Sequence, residues 1–252
     1  MNGIFPAELA VYLILAPITL YVLWTHRWIG WLPWNNLVIF CVLRIVGGAL
    51  GIKDSTSIAA NIISGIGISP LLLAIDGLLH ESRYYRNPEH NVLLGRLVII
   101  IISGVMGAGL GLSISASLKI YQGHGQEKDM NHWKTGTALI VVVWVMEVLY
   151  ALFSLLPTER RKAAPGYRDG TTLLYGALVA LVFGGVRVIY NLISVCTQDK
   201  RLSSVYGTMA VRVVLVFLPE ALAAISMIVA GLWTRKIREN SKPVEAKDTE
   251  SV

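Results

Sequence analysis

The sequence predicts an all-α fold, a polytopic membrane bundle of seven transmembrane helices. Three observations carry that prediction. The 252 residues are 54% hydrophobic and only 15% charged, where a soluble domain carries about 25% charge. Mean hydropathy is +0.60. The apolar residues gather into long runs, the clearest being TTLLYGALVALVFGGVRVIYNLISV over residues 171–195. As a helix rising 1.5 Å per residue, such a run crosses a hydrocarbon core of about 30 Å. Its charged side chain, Arg187, costs at least ~2.5–3.5 kcal/mol in that position on insertion scales, so other spans must supply partners for it.

Span 1 covers residues 6–24, with Glu8 near its start and Pro17 as a bend. Trp28, Trp31 and Trp34 follow as an interfacial aromatic cluster. Span 2 covers residues 35–52, with Arg44 near its middle, and Lys53-Asp54 make a short turn. Span 3 covers residues 55–79, with Pro70 inside and Asp76 near its end. Span 4 covers residues 92–117; Gly104, Gly107, Gly109 and Gly111 there suit close helix approach. Residues 119–134 read as the longest connection. Span 5 covers residues 136–156 around Glu147, span 6 residues 171–195, and span 7 residues 206–233 with Arg212, Pro219 and Glu220. Residues 1–233 form one transmembrane domain, and residues 234–252 read as a disordered tail.

Lys and Arg number twelve in the loops after spans 1, 3 and 5 plus the tail, against six on the opposite side. This predicts a cytoplasmic C-terminus and a lumenal or outer N-terminus, in the endoplasmic reticulum or another endomembrane. The first residues lack a basic stretch and a small-residue cleavage site, so no removable signal is expected. The net charge of +6 reflects basic loops, not a nucleic-acid partner. Cys41 and Cys196 fall at opposite depths and are not expected to pair.

An internal repeat is legible. Phe40-Cys-Val-Leu-Arg44-Ile-Val resembles Phe183-Gly-Gly-Val-Arg187-Val-Ile. Each is followed by a short turn with an aspartate, then by a span with a proline, Pro70 or Pro219. Spans 1–3 and 5–7 thus read as parallel repeats joined by span 4, a 3+1+3 arrangement.

The spans hold Glu8, Asp76, Glu147 and Glu220 against Arg44, Arg96, Arg187 and Arg212, a formal sum of zero. Asp76 and Arg96 lie at matching cytoplasmic depths and are expected to pair. Arg44, Glu147 and Glu220 fall near the midplane, and Glu8, Arg187 and Arg212 nearer the outer side. Helical spacing puts Arg187, Tyr190 and Asn191 on one face, and Arg212, Val216, Pro219 and Glu220 near one stripe. This polar cluster is the candidate site. Tyr12 and Tyr150, one turn beyond Glu8 and Glu147, could orient those carboxyls. No His/Cys/carboxylate spacing suggests a metal, and no cofactor motif is present.

A carboxyl walled in by apolar side chains is a general acid near neutral pH, because desolvation disfavours its charged form. Glu147 and Glu220 are the candidate catalytic acids. Arg44, Arg187, Tyr190, Asn191, Arg212, Glu8 and Tyr150 are the candidate substrate-binding residues. Trp144, Tyr150, Tyr190 and Phe217 could fold an apolar isoprenoid chain and stabilise carbocations through their π faces. Protonation-initiated cyclisation needs these elements and no cofactor. A proton-coupled transporter or a seven-span receptor needs similar ones, though span 7 lacks a lysine for a Schiff base and no Asp-Arg-Tyr follows span 3.

The segments Ala7-Glu8-Leu-Ala, LRIVGGAL (residues 43–50), SPLLLA (residues 69–74) and PEALA (residues 219–223) resemble a fungal family of small seven-span integral membrane proteins. In size and span count the chain is similar to the membrane-bound terpene cyclases of meroterpenoid pathways. Those enzymes protonate an olefin or epoxide on a prenylated substrate. The resemblance implies a membrane-embedded cyclase of secondary metabolism, whose partners are the lipid bilayer and an isoprenoid-type small molecule.

Overall fold

A computed structural model describes residues 4–26, 29–54, 58–87, 92–156, 162–198 and 208–240. These are helical apart from turns and caps, with no strand among the described residues. The chain runs α1 (Ile4–His26), α2 (Trp31–Lys53), α3 (Ile58–Ile66), α4 (Ile68–Arg86), α5 (Val92–Tyr121), α6 (Glu127–Ser154) and α7 (Tyr167–Thr197). It then forms α8 (Met209–Arg212), a π-helical turn (Val213–Phe217), α9 (Leu218–Trp233) and α10 (Ile237–Asn240). Among the described residues, six stretches are long and apolar enough to cross a membrane: α1, α2, Gly95–Tyr121 of α5, α6, α7, and Met209–Trp233. The protein is therefore an integral, multi-pass helical membrane protein.

The stretch expected as span 3 is two consecutive helices that change over at Gly67. The second, α4, continues seven residues past Leu79 through the polar stretch His80–Arg86. It is buried along nearly its whole length, packed between α2 and α7 and touching α5, α6 and α9. A helix enclosed by protein tolerates polar residues that a lipid-facing helix cannot. A side chain at Gly67 would crowd Arg44. A Cβ there would lie 2.8 Å from Arg44 Nη2 and 2.9 Å from its Cζ. The guanidinium of α2 thus fills the space opposite the α3–α4 junction.

The expected long connection at residues 119–134 is mostly helix. The Gln126 side chain accepts from the Asp129 backbone, and Asp129 reaches back to the Gln126 N–H at 3.0 Å. This capping box starts α6 at Glu127, more than two turns before the apolar run begins. Of the four glycines expected to draw span 4 close to a neighbour, only Gly109 does so. A Cβ on Gly109 would lie 2.9 Å from the Gly136 carbonyl, whereas Gly104, Gly107 and Gly111 face open space. Within the expected tail, α10 buries Ile237; residues 241–252 lie outside the described residues.

The π-helical turn has a local cause. Pro219 has no N–H to donate to the carbonyl four residues back, and its ring crowds that turn. The helix widens over Val213–Phe217, and the Leu218 N–H bonds to Val213 O. Such turns are frequent at functional sites. Here it sets the angle between Arg212, on its near side, and Glu220, just beyond the proline.

Candidate functional site

Glu220 lies at the centre of the bundle, fully buried between two guanidinium groups. Arg187 Nε of α7 donates to its Oε1 at 2.8 Å, and Arg44 Nη2 of α2 faces its Oε2 at 2.5 Å. Arg187 is itself 0% exposed, and Nη1 and Nη2 have no hydrogen-bond partner. Glu8 of α1, also buried, is within electrostatic range of Arg44, Glu220, Arg212 and Arg187. Aromatic rings wall the cluster. The Arg44 Cζ stands 5.5 Å from the Phe40 ring, the Arg187 Cζ 5.8 Å from Tyr190 and the Arg212 Cζ 4.8 Å from Phe5. Tyr12 packs edge-on to Phe40 and Phe217, at 5.3 and 6.5 Å between centroids. Of the sequence candidates, Glu8, Arg44, Arg187, Tyr190, Arg212 and Glu220 meet in this one place. The Tyr12 hydroxyl is buried without a partner and does not bond Glu8.

The other three candidates lie elsewhere. Asn191 lines a separate cavity of about 50 Å³ with Ile62, Gly65, Ser113 and Trp133. Tyr150 lies under the Arg83 guanidinium, 4.9 Å from Cζ to ring centre, near the C-terminal end of α4. It does not bond Glu147, since neither Glu147 oxygen has a hydrogen-bond partner.

Glu147 is instead the electrostatic neighbour of Asp76 of α4. Both are buried, at 0% and 1% exposure, and none of their four carboxyl oxygens has a hydrogen-bond partner. The pair expected between Asp76 and Arg96 does not form, because Arg96 is exposed on α5 while Asp76 faces the interior. An apolar groove of about 200 Å³ opens between α6 and α7, and neither acid lines it. Trp144, Val148 and Ala151 line its α6 side, and Leu178, Leu181 and Val182 its α7 side. Trp144 and Ala151 flank Glu147 at one-turn spacing. Trp144 is fixed by its Nε1–H, which donates to Leu181 O at 3.0 Å, and by close packing over Gly185.

A third polar cluster escaped the sequence reading. At the end of the bundle where α1 finishes, His26 Nδ1 meets Glu81 Oε1 at 2.6 Å and Nε2 meets the Gly231 carbonyl at 3.1 Å. Trp34 Nε1 donates to Glu81 Oε2 at 3.1 Å. One carboxyl thus clasps α1, α2 and α4, and the imidazole adds α9. The apolar spacing Leu71, Ile75, Leu78, Tyr85 carries the α4 helix past Leu79 and was the signal that Glu81 lies inside the bundle. Partners 47 and 55 residues away left no local trace.

A multi-pass helical membrane protein with six candidate spans among its described residues, a buried cluster of arginines and glutamates and a separate pair of buried acids is the class this geometry defines. The chain belongs to the family described as Domain of unknown function (DUF7702), whose model matches residues 1–237. No curated protein and no solved structure matches it.

Proposed function

We propose that the protein is a membrane-embedded terpene cyclase that acts by protonating a prenylated substrate, with Glu147 as the proton donor. The observation that carries this reading is the Glu147–Asp76 pair: two enclosed carboxyls with no hydrogen-bond partner on any oxygen, Glu147 standing one turn along α6 from Trp144 and Ala151, which line an apolar groove. Protonation is the physical solution for such groups, since an isolated buried carboxylate neutralises itself. Glu220 is less suited to the role, because a carboxylate held by two guanidinium groups is an ion-pair partner. In this reading the isoprenoid chain enters between α6 and α7. The Glu147 proton passes to a carbon–carbon double bond or an epoxide oxygen. The resulting cation is attacked by a second double bond, and a proton lost from the product restores the acid. The reaction is an isomerisation without redox change or cofactor. Arg187 and Arg212 position the polar end of the substrate.

The same reading takes α3 and α4 together as the third of seven crossings. Ile63 of α3 packs on Gly47 toward the end of α2, and Glu81 of α4 meets His26 at the end of α1, so the two helices run the length of α2. The N-terminus is then lumenal and the C-terminus cytoplasmic, in a fungal endomembrane. The test is incubation of membranes holding the protein with linear farnesylated phenols and epoxycyclohexenones, read by mass spectrometry and chromatography. Cyclised product from wild type, lost in Glu147→Gln, is expected; no product across the panel overturns the reading.

A transporter built on the 3+1+3 repeat is the second reading. It is favoured by one observation: Arg44 and Arg187, at matching positions in the two repeats, converge on Glu220, with the Gly67 junction pressed against Arg44. Interrupted helices at a repeat interface are where transporters bind substrate. Solute flux in proteoliposomes that Arg187→Ala abolishes and Glu147→Gln leaves intact would favour it over the cyclase.

A further inference from the structure

We propose that the interior of the bundle binds a monoanion, the carboxylate of an amphiphile, against the terminal nitrogens of Arg187. This deepens the preceding reading, whose polar substrate end it makes an acid, and it can stand if that reading fails.

The first argument is charge. Arg44, Arg187 and Arg212 gather around Glu8 and Glu220, three positive groups against two negative, so the described cluster carries a formal +1. A surplus charge enclosed by helices in a hydrocarbon environment is costly and normally marks a missing partner. The second argument is the location of the unused donors. Glu220 takes only the Nε of Arg187, leaving Nη1 and Nη2 buried and unpaired. The planar guanidinium edge presented by those nitrogens matches the two oxygens of a carboxylate. Tyr12, electrostatically coupled to the same Glu220, holds a third unpaired donor in its buried hydroxyl. The third argument is the wall. Phe5, Phe40, Phe217 and Tyr190 line the cluster, so an anion carrying an apolar tail fits better than a strongly hydrated one. Bound there, a carboxylate would bring the formal sum to zero.

The experiment uses the full chain in a mild uncharged detergent, with thermal unfolding midpoints read in sodium laurate, in dodecanol, and in sodium chloride against sodium gluconate. Laurate is expected to raise the midpoint saturably by several degrees, dodecanol not, and Arg187→Gln to weaken the laurate response at least tenfold in concentration. A response to chloride and not to laurate overturns the amphiphile carboxylate as the occupant. Equal responses to laurate and dodecanol, together with no difference between chloride and gluconate, overturn the proposal. So does a laurate response that survives in Arg187→Gln. Should that variant fail to fold, Tyr12→Phe, which removes only the hydroxyl, is expected to shift the laurate midpoint concentration upward at least threefold; an unchanged value overturns the proposal. Glu147→Gln is expected to keep laurate binding while losing cyclisation, which separates the two readings.

Discussion

Replacing Glu220 by leucine is the most direct probe of the central ion cluster. The substitution removes the carboxylate that faces Arg44 at 2.5 Å and Arg187 at 2.8 Å, and leaves two buried guanidinium groups facing each other. Removing one partner from a buried ion pair costs about 3–5 kcal/mol, most of it the uncompensated charge left behind. For a chain of this size about 1 kcal/mol moves the midpoint by roughly 2–4 °C, so Glu220→Leu should unfold roughly 6–20 °C below wild type. Removing all three charges together, in Arg44→Met/Arg187→Met/Glu220→Leu, should recover most of that loss, because an apolar replacement of a buried triad is about neutral or stabilising. The assay is unfolding in detergent followed by tryptophan fluorescence. A drop of less than about 2 °C for Glu220→Leu would refute the reasoning, as would a triple variant no more stable than the single one; the charges would then be hydrated and not enclosed.

Three further substitutions test other contacts. Gly67→Ala places a methyl group 2.8 Å from Arg44 Nη2 and should push that guanidinium off Glu220, costing about 1–3 kcal/mol; the smaller Arg44→Lys should relieve part of the cost in the double variant. Glu81→Ala takes the partner from His26 Nδ1 and Trp34 Nε1 at once, and should cost about 1–3 kcal/mol for each group left unpaired, with a shifted Trp34 emission. Glu147→Gln removes no hydrogen bond, so stability should stay within about 1 kcal/mol of wild type while any proton-dependent activity is lost. A strongly destabilised Glu147→Gln would mean that the carboxyl has a structural partner.

The legibility of this fold depended on what hydropathy measures. It reports apolar surface fit for lipid, and the six stretches it located leave such side chains uncovered: Ile14, Leu97, Ile100 and Val182 are all exposed. It gave α4 the wrong end because α4 hardly touches lipid at all. Asp76, Glu81, Ser82, Arg83 and Arg86 are enclosed by other helices, so the charge that looked like a loop is the lining of the bundle. The glycines of α5 failed in the same way. Composition cannot tell the face that meets α6 at Gly109 from the face of Gly104 and Gly107 that meets open space.

Charge told more, and its failures are instructive. Six candidates converge because a buried guanidinium must find a carboxylate, and few carboxylates lie in the spans. Depth along the membrane can be read from sequence, but the direction a residue faces around its helix relative to distant partners cannot. That is why Asp76 was matched to Arg96 at equal depth, whereas its electrostatic neighbour is Glu147. The consequence reaches function. Once Arg96 is turned outward, the zero sum over the eight charges no longer describes the interior. The interior divides into a cluster with one surplus positive charge and an acid pair with none to balance it. A structural network would have settled both by letting them meet. Held apart on different helices, the positive cluster is left short of an anion and the buried acids short of a counter-charge; in the reading proposed above, the first would bind the polar end of a substrate and the second would protonate its apolar end.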